Sequence, residues 1–142
     1  MFLDATGDHF KAGLEEQPFA VHLNLNEART VTRLNDIEPI IEYFKQYVQL
    51  AAITAGKDGL YMNMEDKILH GKVELDKIYS AVGSGDCLTA GLATGVLHDM
   101  DTDEMLVLGV ACGGANCLRP DLGMLYQHDV KKLQGEVEVY FK

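Results

Sequence analysis

The chain has 142 residues, with 12 Lys or Arg against 22 Asp or Glu, so its formal net charge is −10 at pH 7. This acidic balance argues against nonspecific binding to nucleic acid or to an anionic membrane surface, because such binding needs clustered cations. An apolar share of 47% and a charged share of 24% are ordinary for a soluble globular domain and argue against disorder. No apolar run reaches the roughly 18 residues that cross a membrane, and the N-terminal residues lack the pattern of a signal peptide.

The first half of the chain alternates predicted strands and helices. Pro18 and Asn24 bound an apolar strand. Asn24, followed by Glu27 three positions on, resembles a capping box at the start of a helix. In the next helix Pro39 falls in the first turn, where its missing N–H costs little. The predicted strands here are 2–5, 19–23 and 50–55, and the predicted helices are 6–16, 24–33 and 36–48.

The second half continues the alternation after a hairpin. Residues 50–55 are apolar throughout, which is typical of a strand buried on both faces of a parallel sheet. Lys57, Asp58 and Gly59 predict a turn that leads into a hairpin strand. The predicted strands here are 60–64, 67–70, 73–79 and 136–141, and the predicted helices are 84–98, 102–118 (capped by Asp101 or Thr102) and 128–133. The order predicts an α/β layered fold with a mainly parallel sheet, and with no repeat or linker we expect one domain.

The cysteines and histidines do not form a metal-binding pattern. Cys87, Cys112 and Cys117 lack zinc-ligand spacing. We therefore expect buried thiols in a reducing compartment, the cytoplasm. The histidines are not paired at metal spacing either, so we interpret them as surface or structural residues. They are His9, His22, His70, His98 and His128.

The segment Gly83-Ser84-Gly85-Asp86 carries the clearest chemical signal. Its glycines precede an apolar helix, and the first backbone N–H groups of a helix have no internal acceptor. Glycines also let an oxyanion approach those amides, so the turn can form an anion hole for a phosphoryl group. Asp86 in the same turn could take the proton from an attacking hydroxyl. The structural alternative is an ordinary helix start with a capping aspartate and packing glycines.

Glycines recur within the two helices that follow this turn. Each interior glycine costs about 1 kcal/mol of helix propensity relative to alanine. Their presence indicates that the two helices pack closely or cross a ligand, and close packing is the simpler interpretation. They are Gly91, Gly95, Gly109, Gly113 and Gly114.

At this point the sequence resembles the ribokinase-like (PfkB) carbohydrate kinases. Val82-Gly83-Ser84-Gly85-Asp86 followed by Ala90-Gly91 is similar to the C-terminal signature of that family, in the form found in its phosphosugar branch. Other segments resemble family motifs in the same order along the chain. They are Leu3-Asp4-Ala5-Thr6-Gly7, Asn24-Leu25-Asn26-Glu27, Ile53-Thr54-Ala55-Gly56-Lys57-Asp58-Gly59 and Ala111-Cys112-Gly113-Gly114-Ala115-Asn116.

The resemblance implies a ribokinase-like fold and a role for each matching residue. Asp86 would be the catalytic base, and the backbone of Gly83, Ser84 and Gly85 would form the anion hole. Asn24 and Glu27 would help to place Mg²⁺ and phosphate, through water, because Mg²⁺ keeps much of its hydration. The residues implied along the nucleotide are Thr54, Gly56 and Gly59, with Asn116 near the adenine or ribose and Gly123 in the closing loop.

Two departures from the family pattern stand out. His22 occupies the place of a lysine that the phosphosugar branch usually has, and a neutral histidine is not a permanent cation for phosphate. Family members are also about twice this length. Residues 1–142 therefore correspond to the nucleotide-binding C-terminal half, truncated at its N-terminal side. The absent part would supply the sugar-binding residues, the lid and the first strands, so we expect self-association or pairing with that half.

The resulting hypothesis is an ATP-dependent, Mg²⁺-requiring kinase that acts on a hydroxyl of a sugar phosphate, of the tagatose-6-phosphate or fructose-1-phosphate kinase type. As this half alone, the chain would be weakly active or inactive, because positioning dominates phosphoryl transfer. The alternative is a non-catalytic nucleotide-binding or oligomerisation module that retains the fold. A dinucleotide-binding Rossmann domain is disfavoured, because Ala5-Thr6-Gly7-Asp8 after the first strand lacks the required glycine pattern.

Overall fold

The computed structural model describes all residues, 1–142, and the chain divides into two compact units. The first unit comprises residues 1–70 together with 141–142, and the second comprises residues 71–140. Strands β1 to β5 lie in chain order in one sheet. None of the helices combines the length and apolarity needed to cross a membrane.

The first unit alternates strands and helices before a hairpin. Its parallel strands are β1 (Phe2–Leu3), β2 (Ala20–Asn24) and β3 (Leu50–Thr54). Its helices are α1 (Gly7–Glu15), α2 (Leu25–Thr32) and α3 (Ile37–Lys45). A 3₁₀ turn, Gly56–Asp58, leads into β4 (Leu60–Met64), which pairs antiparallel with β3, and β5 spans Lys67–Lys72.

The parallel register places the residues that follow the strands side by side. Ala20 lies opposite Phe2 on β1 and also opposite Leu50 on β3, and at the other end Asn24 lies opposite Thr54. Parallel strands present their carboxyl ends at one edge of the sheet, where ligands commonly bind in α/β folds. This edge therefore collects the polar residues that follow β1, β2 and β3.

The core of the first unit lies between this sheet and its helices. Phe10 and Leu14 of α1 are one turn apart and buried, as the helical repeat requires. Phe10 meets Phe44 of α3 edge to face, with ring centroids 6.0 Å apart. The other buried members of this cluster come from strands and helices alike. They are Val21, Leu23, Ala28, Ile40, Ile41, Val48, Ala51, Ile53 and Ile68.

The second unit is built on a pair of close-packed helices. They are α4 (Ser84–Leu97) and α5 (Thr102–Cys117), followed by α6 (Gln127–Gln134), and β6 spans Glu138–Phe141. A Cβ atom built on Gly91 would lie 3.0 Å from the Cα atom of Gly109, so the two backbones approach each other there. Close packing, the simpler interpretation of these glycines, is what the structure shows.

The predicted fold class is confirmed, and most predicted elements form within one or two residues of their expected bounds. The capping boxes at Asn24 and Asp101 are both present. The predicted strand at 73–79 is wrong, because that segment has no strand conformation. Its apolar residues Val73 and Leu75 pack instead against the cluster formed by α4, α5 and α6. Helix α3 ends at Lys45 and not at residue 48, because the N–H groups of Gln46 and Tyr47 bond to carbonyls three residues back, those of Tyr43 and Phe44.

Candidate active site

A cleft of about 390 Å³ lies in the first unit where strands β1 and β2 end and helices α1 and α2 begin. Three α1 residues, Gly7, Asp8 and Lys11, line one side of it. Glu27 and Thr30 of α2 line another side. Both sets follow the helical repeat, so each helix directs one polar face into the cleft. The cleft therefore combines a cation, carboxylates and hydroxyl groups, which is a donor set suited to a polar, charged ligand.

Asn24 and Glu27 are bonded to each other in a reciprocal capping box. The Asn24 side-chain oxygen accepts from the Glu27 backbone N–H, and Glu27 Oε2 accepts from the Asn24 backbone N–H, both at 2.9 Å. Each bond uses one oxygen lone pair, so Glu27 Oε1 and the second lone pair of the Asn24 amide remain for a ligand. Oxygen donors of this kind suit a hydrated Mg²⁺. The structure contains no converging group of three or more His, Cys, Asp or Glu side chains.

His22 links the ends of the three parallel strands. The residue is only 7% exposed. Its Nδ1 lies 3.3 Å from Asp4 Oδ2 beyond β1, and its Nε2 lies 3.3 Å from Thr54 Oγ1 at the end of β3. Both ring nitrogens are thus engaged within the protein. The expectation that this histidine is structural is met, and its position fixes the Thr54 hydroxyl, which the resemblance places along the nucleotide.

The turn after β3 uses glycines at positions where the backbone requires them. Gly56 has φ of +54° and Gly59 has φ of +89°, both in the left-handed region. The N–H of Ala55 donates to the Gly59 carbonyl at 2.8 Å and closes the turn. The turn therefore has an exposed backbone and no bulky side chain at either glycine, as a segment passing along a ligand would need.

The Gly83–Asp86 turn of the second unit is open to solvent. Asp86 is exposed, and Gly83, Ser84 and Gly85 are partly exposed. The Ser84 N–H already donates to the Ala81 carbonyl at 3.1 Å. The amides of Gly85 and Asp86 lie in the first turn of α4, where the helix itself supplies no acceptor. Of the amides in this turn, those of Gly85 and Asp86 have no acceptor in the protein, whereas the amide of Ser84, one of the three residues predicted to form the anion hole, is already bonded.

Three of the predicted site residues, Gly83, Asn116 and Gly123, come together beside that turn. Gly83 has φ of +83°, and a Cβ atom there would lie 2.9 Å from the backbone N and Cα of Gly123. Asn116 is only 1% exposed, and its Nδ2 donates to the Val82 carbonyl at 2.9 Å. Its Oδ1 is buried without a partner. Asn116 thus supports the segment that leads into the turn.

An ion pair closes the loop that contains Gly123. Arg119 donates from Nε and Nη2 to both carboxylate oxygens of Asp129, at 2.7 and 3.0 Å. These hydrogen bonds to the Arg119 guanidinium hold the pKa of the Asp129 carboxyl below its usual range. Both ends of the loop are fixed by this pair, so residues 120–128 are held over a short span.

The cysteines lie in the paired helices of the second unit, Cys87 in α4 and Cys112 and Cys117 in α5. All three are buried and free. Burial raises the pKa of the Cys87 thiol, and the nearby Asp86 carboxylate raises it further. Burial likewise raises the pKa of the Cys112 and Cys117 thiols. These thiols therefore behave as small apolar core groups and not as nucleophiles.

Two residues of the candidate site, Lys11 and His22, were not predicted from the sequence in the positions that the structure gives them. Lys11 lines the cleft, and its signal was its position four residues after Gly7 in the first helix. The role of His22 in joining Asp4 to Thr54 was missed because it depends on strand register, which no local pattern encodes.

Comparison with known proteins identifies the class of molecule that this fold and site define. Residues 1–126 match the model of the pfkB family carbohydrate kinases, so the chain belongs to that family. It is 27% identical over 143 residues to 1-phosphofructokinase of Bacillus subtilis, covering 96% of this chain and 46% of that protein.

The solved structures agree on the fold. Phosphofructokinase-2 from Escherichia coli superposes with a TM-score of 0.86 at 18% identity, over 94% of this chain and 46% of that chain. Ribokinase from Thermotoga maritima superposes with a TM-score of 0.74 at 15% identity, over 83% and 42% of the respective chains. The chain therefore has the ribokinase-like fold, and it spans about half the length of the curated relatives it matches.

Proposed function

We propose that this chain is the nucleotide-binding, base-bearing half of an ATP-dependent kinase whose acceptor is a hydroxyl group of a sugar phosphate. The observation that carries the proposal is the turn of the second unit, where unpaired amides at the start of α4 adjoin the Asp86 carboxylate in a chain of this family. Relatives named 1-phosphofructokinase support a fructose-1-phosphate type of acceptor. The tagatose-6-phosphate type shares this chemistry.

The reaction is a direct phosphoryl transfer. The acceptor hydroxyl attacks the γ-phosphorus of ATP, Asp86 takes the hydroxyl proton, and ADP leaves. The amides of Gly85 and Asp86 stabilise the negative charge on the transferring group, because they are held in place and lack other acceptors. Gly83 lets the backbone turn close enough for this contact.

The other predicted residues are assigned to binding. Thr54, Gly56 and Gly59 lie along the nucleotide, with Asn116 and the Gly123 loop supporting the nucleotide side. Asn24 and Glu27 would hold Mg²⁺ through its water shell, and the ion would supply positive charge to neutralise phosphate. The oxygen donors of the capping box are compatible with the Mg²⁺ role, and the bond from Asn116 to the Val82 carbonyl is compatible with a supporting role.

A non-catalytic nucleotide-binding module is the second candidate. It is favoured by His22, whose two ring nitrogens are engaged within the protein. Two measurements separate the candidates. If the chain binds MgATP in calorimetry, but a fusion that supplies the N-terminal half of the Bacillus subtilis relative does not phosphorylate fructose 1-phosphate, the module is supported.

We also propose that the chain associates, either with a second copy or with the half that its relatives possess. Phosphofructokinase-2 from Escherichia coli has been solved as a tetramer. Several large apolar side chains are more than half exposed here, which is a liability for an isolated chain. They include Ile78, Val82, Leu97, Leu122 and Met124.

The decisive experiment is Asp86→Asn, assayed for ATP-dependent phosphorylation of fructose 1-phosphate. The assay uses the 142-residue chain alone and also a fusion that supplies the N-terminal half of the Bacillus subtilis relative. Loss of the base should lower turnover by about 10²–10⁴-fold with little change in MgATP affinity.

Asp103→Asn serves as the matched control. Asp103 is also an exposed aspartate in the first turn of a helix, α5, and it takes no part in the capping box there. This variant should keep full turnover. If Asp86→Asn turns over as fast as Asp103→Asn in the fusion, Asp86 is not the base and the kinase mechanism proposed here is wrong.

A further inference from the structure

We propose that Lys11 supplies the positive charge that binds a phosphoryl group in the cleft of the first unit. This inference rests on the proposed function and deepens it, because it names the residue that meets the phosphate. The cleft holds about 390 Å³, enough for a phosphate and its water shell. Lys11 is the one Lys or Arg among the residues that line it.

The position of Lys11 follows from the helix that carries it. Helix α1 turns Phe10 and Leu14 into the core, and this fixes the rotation of the helix about its axis. Residues Gly7, Asp8 and Lys11 then share the face that lines the cleft. The lysine stem is long enough for its ammonium group to move within the cleft and adapt to a phosphate oxygen.

The ammonium group is also uncommitted. Lys45 is paired with Glu42 and Lys142 with Glu38, whereas no carboxylate oxygen lies within 4.0 Å of Lys11 Nζ. A lysine without a carboxylate partner, in a cleft that also contains Asp8 and Glu27, is free to pair with an anion.

His22 does not provide this charge. Its ring is 7% exposed, and both nitrogens are bonded, to Asp4 and to Thr54. The residue is absent from the lining of the cleft. A phosphate in the cleft would therefore meet Lys11, and His22 would act only on the geometry of the strand ends.

The test is a titration of the 142-residue chain followed by amide chemical shifts, with and without Mg²⁺. One arm adds inorganic pyrophosphate as a probe for a nucleotide tail, and the other adds fructose 1-phosphate. If Lys11 binds a phosphoryl group, the amide chemical shifts of residues 6–11 and 24–31 should change in one of the two titrations. A change with pyrophosphate identifies the nucleotide tail as the source of the phosphoryl group, and a change with fructose 1-phosphate identifies the sugar phosphate. Lys11→Gln should weaken this binding roughly tenfold and reduce its dependence on salt, whereas Lys11→Arg should keep both.

Lys45→Gln is the control, because it removes one lysine charge from α3, outside the cleft. It should bind the probe like the unmodified chain. The inference is overturned if neither probe shifts the cleft amides, or if Lys11→Gln binds as tightly as Lys45→Gln. Such a result leaves the Asp86 experiment untouched, because Asp86→Asn and Asp103→Asn are compared with the cleft unchanged in both variants.

Discussion

At the scale of single residues, Gly83 is the position where backbone geometry constrains the candidate site most tightly. Its φ of +83° strains any residue with a Cβ atom, and that atom would also meet the backbone of Gly123 at 2.9 Å. The backbone of Gly123 cannot move aside as easily as the end of a flexible side chain could. Gly83 is therefore required twice, once for its conformation and once for the close approach of the loop.

We predict that Gly83→Ala destabilises the chain more than Gly7→Ala does. Gly7 has φ of +61° but open space around its missing Cβ, so its substitution carries conformational strain alone, about 1 kcal/mol. The contact with Gly123 should add at least about 1 kcal/mol for Gly83→Ala. Urea unfolding of both variants measures the difference, and equal losses would show that the loop moves away without cost.

The residues of the candidate site could be predicted from the sequence only in part. Gly83 to Asp86 were recognisable because their chemistry is local to one helix start. The Asn116 bond to Val82 joins residues 34 positions apart, and the His22 bond to Thr54 joins residues 32 apart. Such contacts depend on how elements pack, so the sequence indicated the residues but not their partners.

At the scale of elements, the helices could be predicted because apolar residues recur at helical spacing, and the β3–β4 hairpin because turn-forming residues separate its two strands. Phe10 and Leu14 repeat at helical spacing, and Gly59 marks the turn. The segment at 73–79 misled because Val73 and Leu75 alternate with Glu74 and Asp76, as in a strand. An alternation of apolar and charged residues shows only that one side of the segment is buried. Here the buried side, with Val73 and Leu75, packs on helices α4, α5 and α6.

The packing of α4 on α5 gives a prediction at this scale. Gly91→Ala should destabilise the chain by about 1–3 kcal/mol, although alanine favours a helix by about 1 kcal/mol over glycine. The added methyl would lie 3.0 Å from Gly109 Cα and 3.1 Å from the Leu108 carbonyl oxygen, so the helices must separate. Thermal unfolding followed by circular dichroism measures the change.

Gly135→Ala is the comparison for that variant. Gly135 ends α6 with an ordinary φ of −74°, and its nearest neighbour to an added Cβ is the Lys132 carbonyl oxygen at 3.5 Å. Its substitution should be neutral or slightly stabilising. If Gly91→Ala proves equally harmless, the close approach of α4 and α5 is not a constraint on stability.

At the scale of the whole molecule, net charge and exposed apolar surface oppose each other. Copies that carry −10 each repel, whereas exposed apolar side chains favour contact. We call five of these side chains the patch; they are Ile78, Tyr79, Val82, Leu122 and Met124. The patch belongs to two segments of the second unit that meet where Gly83 contacts Gly123. The balance between these two effects should depend on ionic strength.

We therefore predict that self-association strengthens as salt rises. The screening length falls from about 30 Å at 0.01 M to about 8 Å at 0.15 M, which removes most repulsion between copies and leaves apolar contact unaffected. Sedimentation velocity at both salt concentrations measures this. Ile78→Ser should weaken association, whereas Leu97→Ser, which removes an apolar side chain that is 79% exposed outside the patch, should not. Association that weakens with salt would instead require an interface of complementary charges, and a monomer under both conditions would contradict the proposed pairing of copies.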